Sequence, residues 1–142
     1  MVKNPEWRES RLLNEWLKEA HPQSLQWKRV RVGPPLTGHE NPVYSVLNRW
    51  ADAVIFEGGE VFIIEAKLKA APGAIGQLKL YGKLFPGTPE FSELKDKPLR
   101  LVLLAGITDQ AVKALCKDEG IEYIVYTPPW VKDWLKAVTE SD

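Results

Sequence analysis

The sequence predicts a mixed α/β fold, a central sheet flanked by helices, formed as a single domain over residues 1–142. Three observations carry that expectation. Trp50–Lys67 (WADAVIFEGGEVFIIEAK) sets two apolar runs on either side of Gly58-Gly59. This is the pattern of a tight hairpin, because glycine reaches φ > 0 without penalty. Leu99–Ala105 (LRLVLLA) is a continuous apolar run, the mark of a strand covered on both faces. After the hairpin, segments of helical period alternate with strands, which calls for parallel crossovers.

The elements follow in order. Pro5–Ala20 reads as a helix, with Leu12, Leu13, Trp16, Leu17 and Ala20 on one apolar stripe. His21-Pro22 ends it, since the residue before proline avoids the α region. Glu9 falls inside the stripe, where it either complements the helix dipole or serves the site, and Glu6 takes a similar angle. Ser24–Val32 alternates impurely, with Leu25, Trp27, Arg29 and Arg31 on one face, as expected of a strand near a sheet edge. The stretch 33–45 is a Pro/Gly-rich loop whose lone histidine, His39, reads as polar surface or a border of the site.

Beyond the hairpin, a helix over Pro72–Phe85 starts with proline in its first turn and repeats Ala74, Leu78, Tyr81 and Phe85 at helical spacing. Residues 86–98 read as a polar loop, and Thr108–Glu119 as a helix with Thr108 as N-cap and Gly120 past its end. Ile121–Tyr126 is a further strand. Pro128–Val138 is a closing amphipathic helix whose Trp130 and Trp134 serve either core packing or an interface.

Composition narrows the function. No apolar run approaches the roughly 18 residues of a membrane span, and the start has no signal-peptide pattern. A single cysteine, Cys116, excludes an internal disulfide, a four-cysteine zinc site or an iron–sulfur cluster held by this chain alone. A reducing, cytoplasmic location is the expectation. Net charge is zero, so any nucleic-acid binding must rest on local charge.

The hairpin carries the candidate site. With Gly58 and Gly59 as the loop, Glu57 faces Glu60, Asp52 faces Glu65, and Trp50 faces Lys67. Alternation then brings Asp52, Glu65 and Lys67 out on one side of the sheet. Carboxylates facing each other across strands destabilise a sheet by up to roughly 1 kcal/mol, so a cation is expected between them. Two carboxylates and a strand-end carbonyl such as that of Ala66 suit Mg²⁺, which takes one or two carboxylates plus water and phosphate. Lys67 is then either a salt-bridge partner or a group that orients water and offsets developing charge.

This arrangement resembles the PD-(D/E)xK nuclease superfamily. The matching residues are Asp52 and Glu65-Ala66-Lys67, with a helix and strand before and a helix and strand after, as in that superfamily's αβββαβ restriction-endonuclease-like core. Gln77-Leu78-Lys79-Leu80-Tyr81 is similar to the Gln-x-x-x-Tyr motif of RecB-like exonucleases, and Glu9 to the first-helix glutamate of Holliday-junction resolvases. Ala51 stands where the nominal proline would be. The resemblance covers roughly residues 5–127 and leaves the last helix as an addition.

The resemblance implies Mg²⁺- or Mn²⁺-dependent hydrolysis of DNA phosphodiester bonds by an exonuclease, a resolvase or a structure-specific endonuclease. The alternative is a non-catalytic nucleic-acid-binding or assembly module that keeps the fold. Asp52, Glu65, the Ala66 carbonyl and Glu9 would hold the metal, and Lys67 would position water. Gln77 and Tyr81 would contact the lysine, the water or the DNA backbone. Arg49, Lys69, Lys79 and Lys83 are candidates for phosphate contacts. A homodimer or a larger nucleic-acid-processing complex is a further expectation, and a membrane partner is not.

Overall fold

The computed structural model describes residues 5–34 and 50–140, with side chains from residue 7 onward. Arg49, His39 and the side chain of Glu6 lie outside the described residues. The elements are α1 (Pro5–Ala20), β1 (Leu25–Arg31), β2 (Trp50–Glu57), β3 (Glu60–Lys69), α2 (Pro72–Leu84), β4 (Leu99–Ile107), α3 (Gln110–Asp118), β5 (Glu122–Val125) and α4 (Pro129–Glu140). This is the expected αβββαβ core with a further helix–strand–helix extension. Two short 3₁₀ turns, Phe85–Gly87 and Pro89–Leu94, occupy the stretch read as a polar loop.

The five strands lie in sequence order in one sheet, β1 to β5. β1–β2 and β2–β3 are antiparallel pairs, while β3–β4 and β4–β5 are parallel. The hairpin forms as its turn residues require: Gly58 and Gly59 have φ of 60° and 79°. Glu57 pairs with Glu60, and the register runs unbroken to Ala53 with Ile64. β1 sits at the sheet edge, as its impure alternation implied.

Each face of the sheet has its own core. Leu12, Leu13, Trp16 and Leu17 of α1, with Val131 of α4, pack on Ala53, Ile55, Ile64, Ala66, Val102 and Leu104. On the other face Ala74, Ile75, Leu78 and Tyr81 of α2, with Val112 and Cys116 of α3, pack on Val54, Val61, Ile63, Leu103 and Ala105. The β4 run is buried on both faces, which is why it reads as uninterrupted apolar sequence. Each fully buried Leu or Ile stabilises the fold by about 1.5–3 kcal/mol.

Trp130 and Trp134 pack against the α1-side core. The Trp130 indole donates to Glu15 Oε2 at 2.6 Å, and the Arg11 guanidinium lies 4.4 Å from its ring centre. Core packing engages both side chains, which stay half-buried. The helix-start expectation shifts by one residue: Asp109, not Thr108, caps α3, its carboxylate accepting from the Ala111 and Val112 amides. Either residue type caps well, and Asp109 reaches two orphan amides where Thr108 reaches none.

Thr88 is the buried hydroxyl that ties the end of β1 to the turn after α2. Its Oγ1 accepts from the Gly33 amide at 2.8 Å and donates to the Leu84 carbonyl, at 1% exposure. Replacing Thr88 by valine leaves the Gly33 amide without a partner in a dry setting. The expected cost is about 1–3 kcal/mol, read as a lower denaturation midpoint at unchanged slope.

Candidate active site

The site forms where the sheet divides. β2 and β3 pair from the turn as far as Ala53 with Ile64. Beyond that point β2 stays with β1, through Val30 with Ala51 and Arg31 with Trp50, while β3 stays with β4 as far as Lys69 with Ile107. Asp52 and Glu65 are the first residues past the split. Backbone amides stripped of a strand partner need other acceptors. The Asp52 amide donates to Glu65 Oε1 at 3.1 Å, and the Ala66 amide to Asp52 Oδ2 at 2.9 Å. Two residues further along, the Leu68 amide donates to Glu9 Oε2 of α1 at 3.1 Å. On the β2 arm, the Tyr81 hydroxyl donates to the Trp50 carbonyl at 3.1 Å. Side chains replace the missing ladder on both arms of the fork.

The electrostatics follow from this packing. Glu65 is 3% exposed. Burial and the adjacent Asp52 charge push its pKa up to about 8, against the opposing pull of the Asp52 amide and Lys67. Burial likewise raises Asp52, opposed by the Ala66 amide, Lys67, Glu65 and Arg29. The pair therefore retains a proton at neutral pH unless another positive charge arrives. Lys67 makes no ion pair among the described residues, so it acts on both carboxyls through space.

β1 contributes a distortion. Arg29 has φ +51°, a left-handed backbone rare for a side-chain-bearing residue. The β1–β2 pairing skips Arg29 and Asp52 and then resumes in the same register. Side-chain alternation resets there: Trp27 and Val30, three apart, both meet the α2-side core, as do Ala51 and Val54. Strain of this kind concentrates at functional positions. Nothing in the sequence of β1 signals it.

One cavity of about 460 Å³ gathers the candidates. Glu9, Asp52, Glu65, Lys67, Gln77 and Tyr81 all line it, with Ser10, Leu13, Asn14, Lys28, Arg29 and Trp50 completing the wall. Gln77 and Tyr81, one turn apart on α2, share a face as their spacing requires. Lys69 and Lys83 are exposed and lie outside that wall. Lys79 is turned away and ion-pairs with Glu119 at the end of α3. The residues missed in the sequence, Ser10 and Asn14, lie four apart on the flank of the α1 stripe beside Glu9, and that spacing was readable. Lys28 and Arg29 were assigned only to a strand.

The donor set admits a hard cation. Among the described residues, no three His, Cys, Asp or Glu side chains group so as to hold a metal by themselves. Glu9 is engaged with the β3 backbone. The set is thus the Asp52–Glu65 pair with the neighbouring Ala66 carbonyl. That suits an ion completing its shell with water and substrate oxygens, not a closed structural site. A divalent charge there would lower both carboxyl pKa values, against the burial that raises each of them and the Asp52 charge that further raises Glu65.

No protein-family model matches the chain, and no curated protein matches its sequence. Solved structures do match in fold. EndoMS in complex with double-stranded DNA superposes with a TM-score of 0.53 at 21% identity, covering 91% of this chain and 47% of that one. A repair endonuclease from Pyrococcus abyssi gives 0.52 at 18% identity, covering 91% and 50%. The chain thus spans about half the length of each. At these identities the likeness establishes the fold: a mixed α/β sheet flanked by helices, shared with endonuclease structures.

Proposed function

We propose that the chain is a metal-dependent deoxyribonuclease that hydrolyses phosphodiester bonds, cutting within duplex DNA. The observation that carries this reading is the fork itself, which places Asp52, Glu65 and Lys67 on the wall of one cavity. The two solved structures of like fold support it, one being a repair endonuclease and the other a complex with double-stranded DNA. Their character favours endonucleolytic over exonucleolytic cutting.

Asp52, Glu65 and the Ala66 carbonyl would hold Mg²⁺ or Mn²⁺. When bound, such an ion supplies Lewis-acid activation of the phosphate and a more acidic water. Lys67 holds positive charge beside the reacting phosphate, where it orients the water and offsets charge on the phosphorus centre. Gln77 presents an amide to the same cavity from α2. Tyr81 fixes the β2 arm through the Trp50 carbonyl, and Glu9 fixes the β3 arm through the Leu68 amide. Both are positioning residues in this scheme, with water-mediated contact between Glu9 and the ion a further role. A homodimer or a larger nucleic-acid-processing complex belongs to the same reading.

The test is incubation with linear, circular, single-stranded and branched DNA in Mg²⁺ or Mn²⁺. The expected result is cleavage of duplex or branched DNA, abolished by EDTA. DNA binding without cleavage of any of the four would overturn the enzyme and leave a binding module of the same fold.

A further inference from the structure

Next to the candidate active site lies a second cavity, of about 400 Å³, lined by Asn14, Lys18, Pro22, Ser24, Gln26 and Lys28. Asn14 and Lys28 line both cavities, so the two adjoin and together outline a groove. The groove runs between α1 and β1. On α1 it passes from Glu9 to Lys18, about 14 Å at the helical rise. On β1 it passes from Arg29 back to Ser24, about 16 Å along the strand. It exists because β1 is the edge strand, beyond the part of the sheet that α1 packs on.

The wall of the second cavity carries two cations and no acid. Lys28 and Gln26 pair with Ala53 and Ile55, both members of the α1-side core, so these β1 residues lie on the α1 side of the sheet. Lys18 and Lys28 are exposed and form no ion pair among the described residues. Several cations elsewhere on the molecule are neutralised: Arg11 by Glu15, Lys79 by Glu119, and Arg100 by Glu60 and Glu122. Ser24 and Gln26 are held in place at the far end by bonds to the His21 carbonyl and to each other.

We infer that this α1–β1 groove is the track for the DNA strand on one side of the scissile phosphate, with Lys18 and Lys28 contacting successive backbone phosphates. The inference rests on the nuclease reading and deepens it by assigning one direction of approach to the site. The length of the groove accommodates more than one phosphate beyond the reacting one. Lys18 and Lys28 are point charges suited to phosphates, so these contacts are independent of sequence.

The test compares wild type with a Lys18→Ala/Lys28→Ala double variant. A Lys113→Ala/Lys117→Ala variant is the control, removing equal charge from the cavity at the opposite, β5 edge of the sheet. Binding of a duplex oligonucleotide is measured in EDTA across salt concentrations, and cleavage kinetics in Mg²⁺. The groove variant should bind about tenfold more weakly, with a salt slope shallower by about 2, and show raised KM with kcat within about twofold. The control should match wild type, and all three should melt alike. Trimming the substrate on one side only should abolish the difference between wild type and groove variant. An unchanged salt slope, a loss confined to kcat, or an equal loss in the control would overturn the track. Failure of the nuclease reading shows separately, as wild type that cleaves no DNA.

Discussion

Replacing Lys67 by alanine will lower the rate of DNA cleavage by about 10²–10³-fold, the loss seen when one fixed donor to a charged transition state is removed. The side chain is half-buried at the cavity wall and makes no ion pair among the described residues. Its removal therefore breaks no packed network, and the melting temperature should stay within a degree or two. Single-turnover kinetics at saturating DNA separate the effect from binding, which in EDTA should change only a few-fold. Lys67→Arg keeps the charge but offers a planar fork in place of a compact ammonium, so it should restore only part of the rate. Cleavage within tenfold of wild type in the alanine variant would remove Lys67 from the chemistry.

The metal-free protein will lose stability as pH rises from about 4.5 to about 8. Glu65 titrates near its ordinary value of 4.5 when unfolded and near 8 when folded, because burial and the Asp52 charge penalise its ionised form. Across that window the folded state binds more protons than the unfolded one, so raising the pH favours unfolding. The stabilising contribution is complete below about 4.5 and gone once pH passes the folded value. Thermal melts in EDTA at pH 5 and pH 8 should differ by several degrees in this sense, and Glu65→Gln should flatten the difference. Adding Mg²⁺ or Mn²⁺ at pH 8 should recover the loss in wild type, since the ion binds the folded, deprotonated pair. The same addition at pH 5 should do little, because protons then hold the site. A melt in EDTA that rises from pH 5 to pH 8 would contradict the buried pair.

Much of this was legible because a two-glycine turn fixes everything downstream of it. Once Gly58 and Gly59 make the loop, pairing by alternation carries Asp52 to Glu65 with no further assumption. The Gln77–Tyr81 spacing likewise survives folding, because a helix maps four residues onto one face. What escaped was tertiary. Facing carboxylates imply repulsion across an intact ladder; the Asp52 charge does raise Glu65, but the strands part there and each carboxyl accepts a backbone amide left behind. Arg29 adopts a left-handed backbone that its residue type does not announce. Lys79 has the right distance in sequence from Glu65 but projects toward α3, because the α2 face that meets the site belongs to Gln77 and Tyr81. Thr88 reaches across 55 residues to Gly33, a contact no local pattern encodes.

The parting of the sheet has a mechanical consequence. The two acidic groups ride on different pieces of backbone, Asp52 on the β1–β2 ribbon and Glu65 on the β3–β4 ribbon. The Ala53–Ile64 pair is the last ladder rung joining them. A small rotation of one ribbon about that rung changes the gap between the carboxyls without breaking any strand pairing, in the manner of a jaw about its pivot. The side-chain hydrogen bonds of Asp52 and Glu65 span the opening, while Tyr81 and Glu9 brace one arm each from α2 and α1. The width of the jaw is thus held by side-chain hydrogen bonds and by the helices packed on either face, not by the ladder.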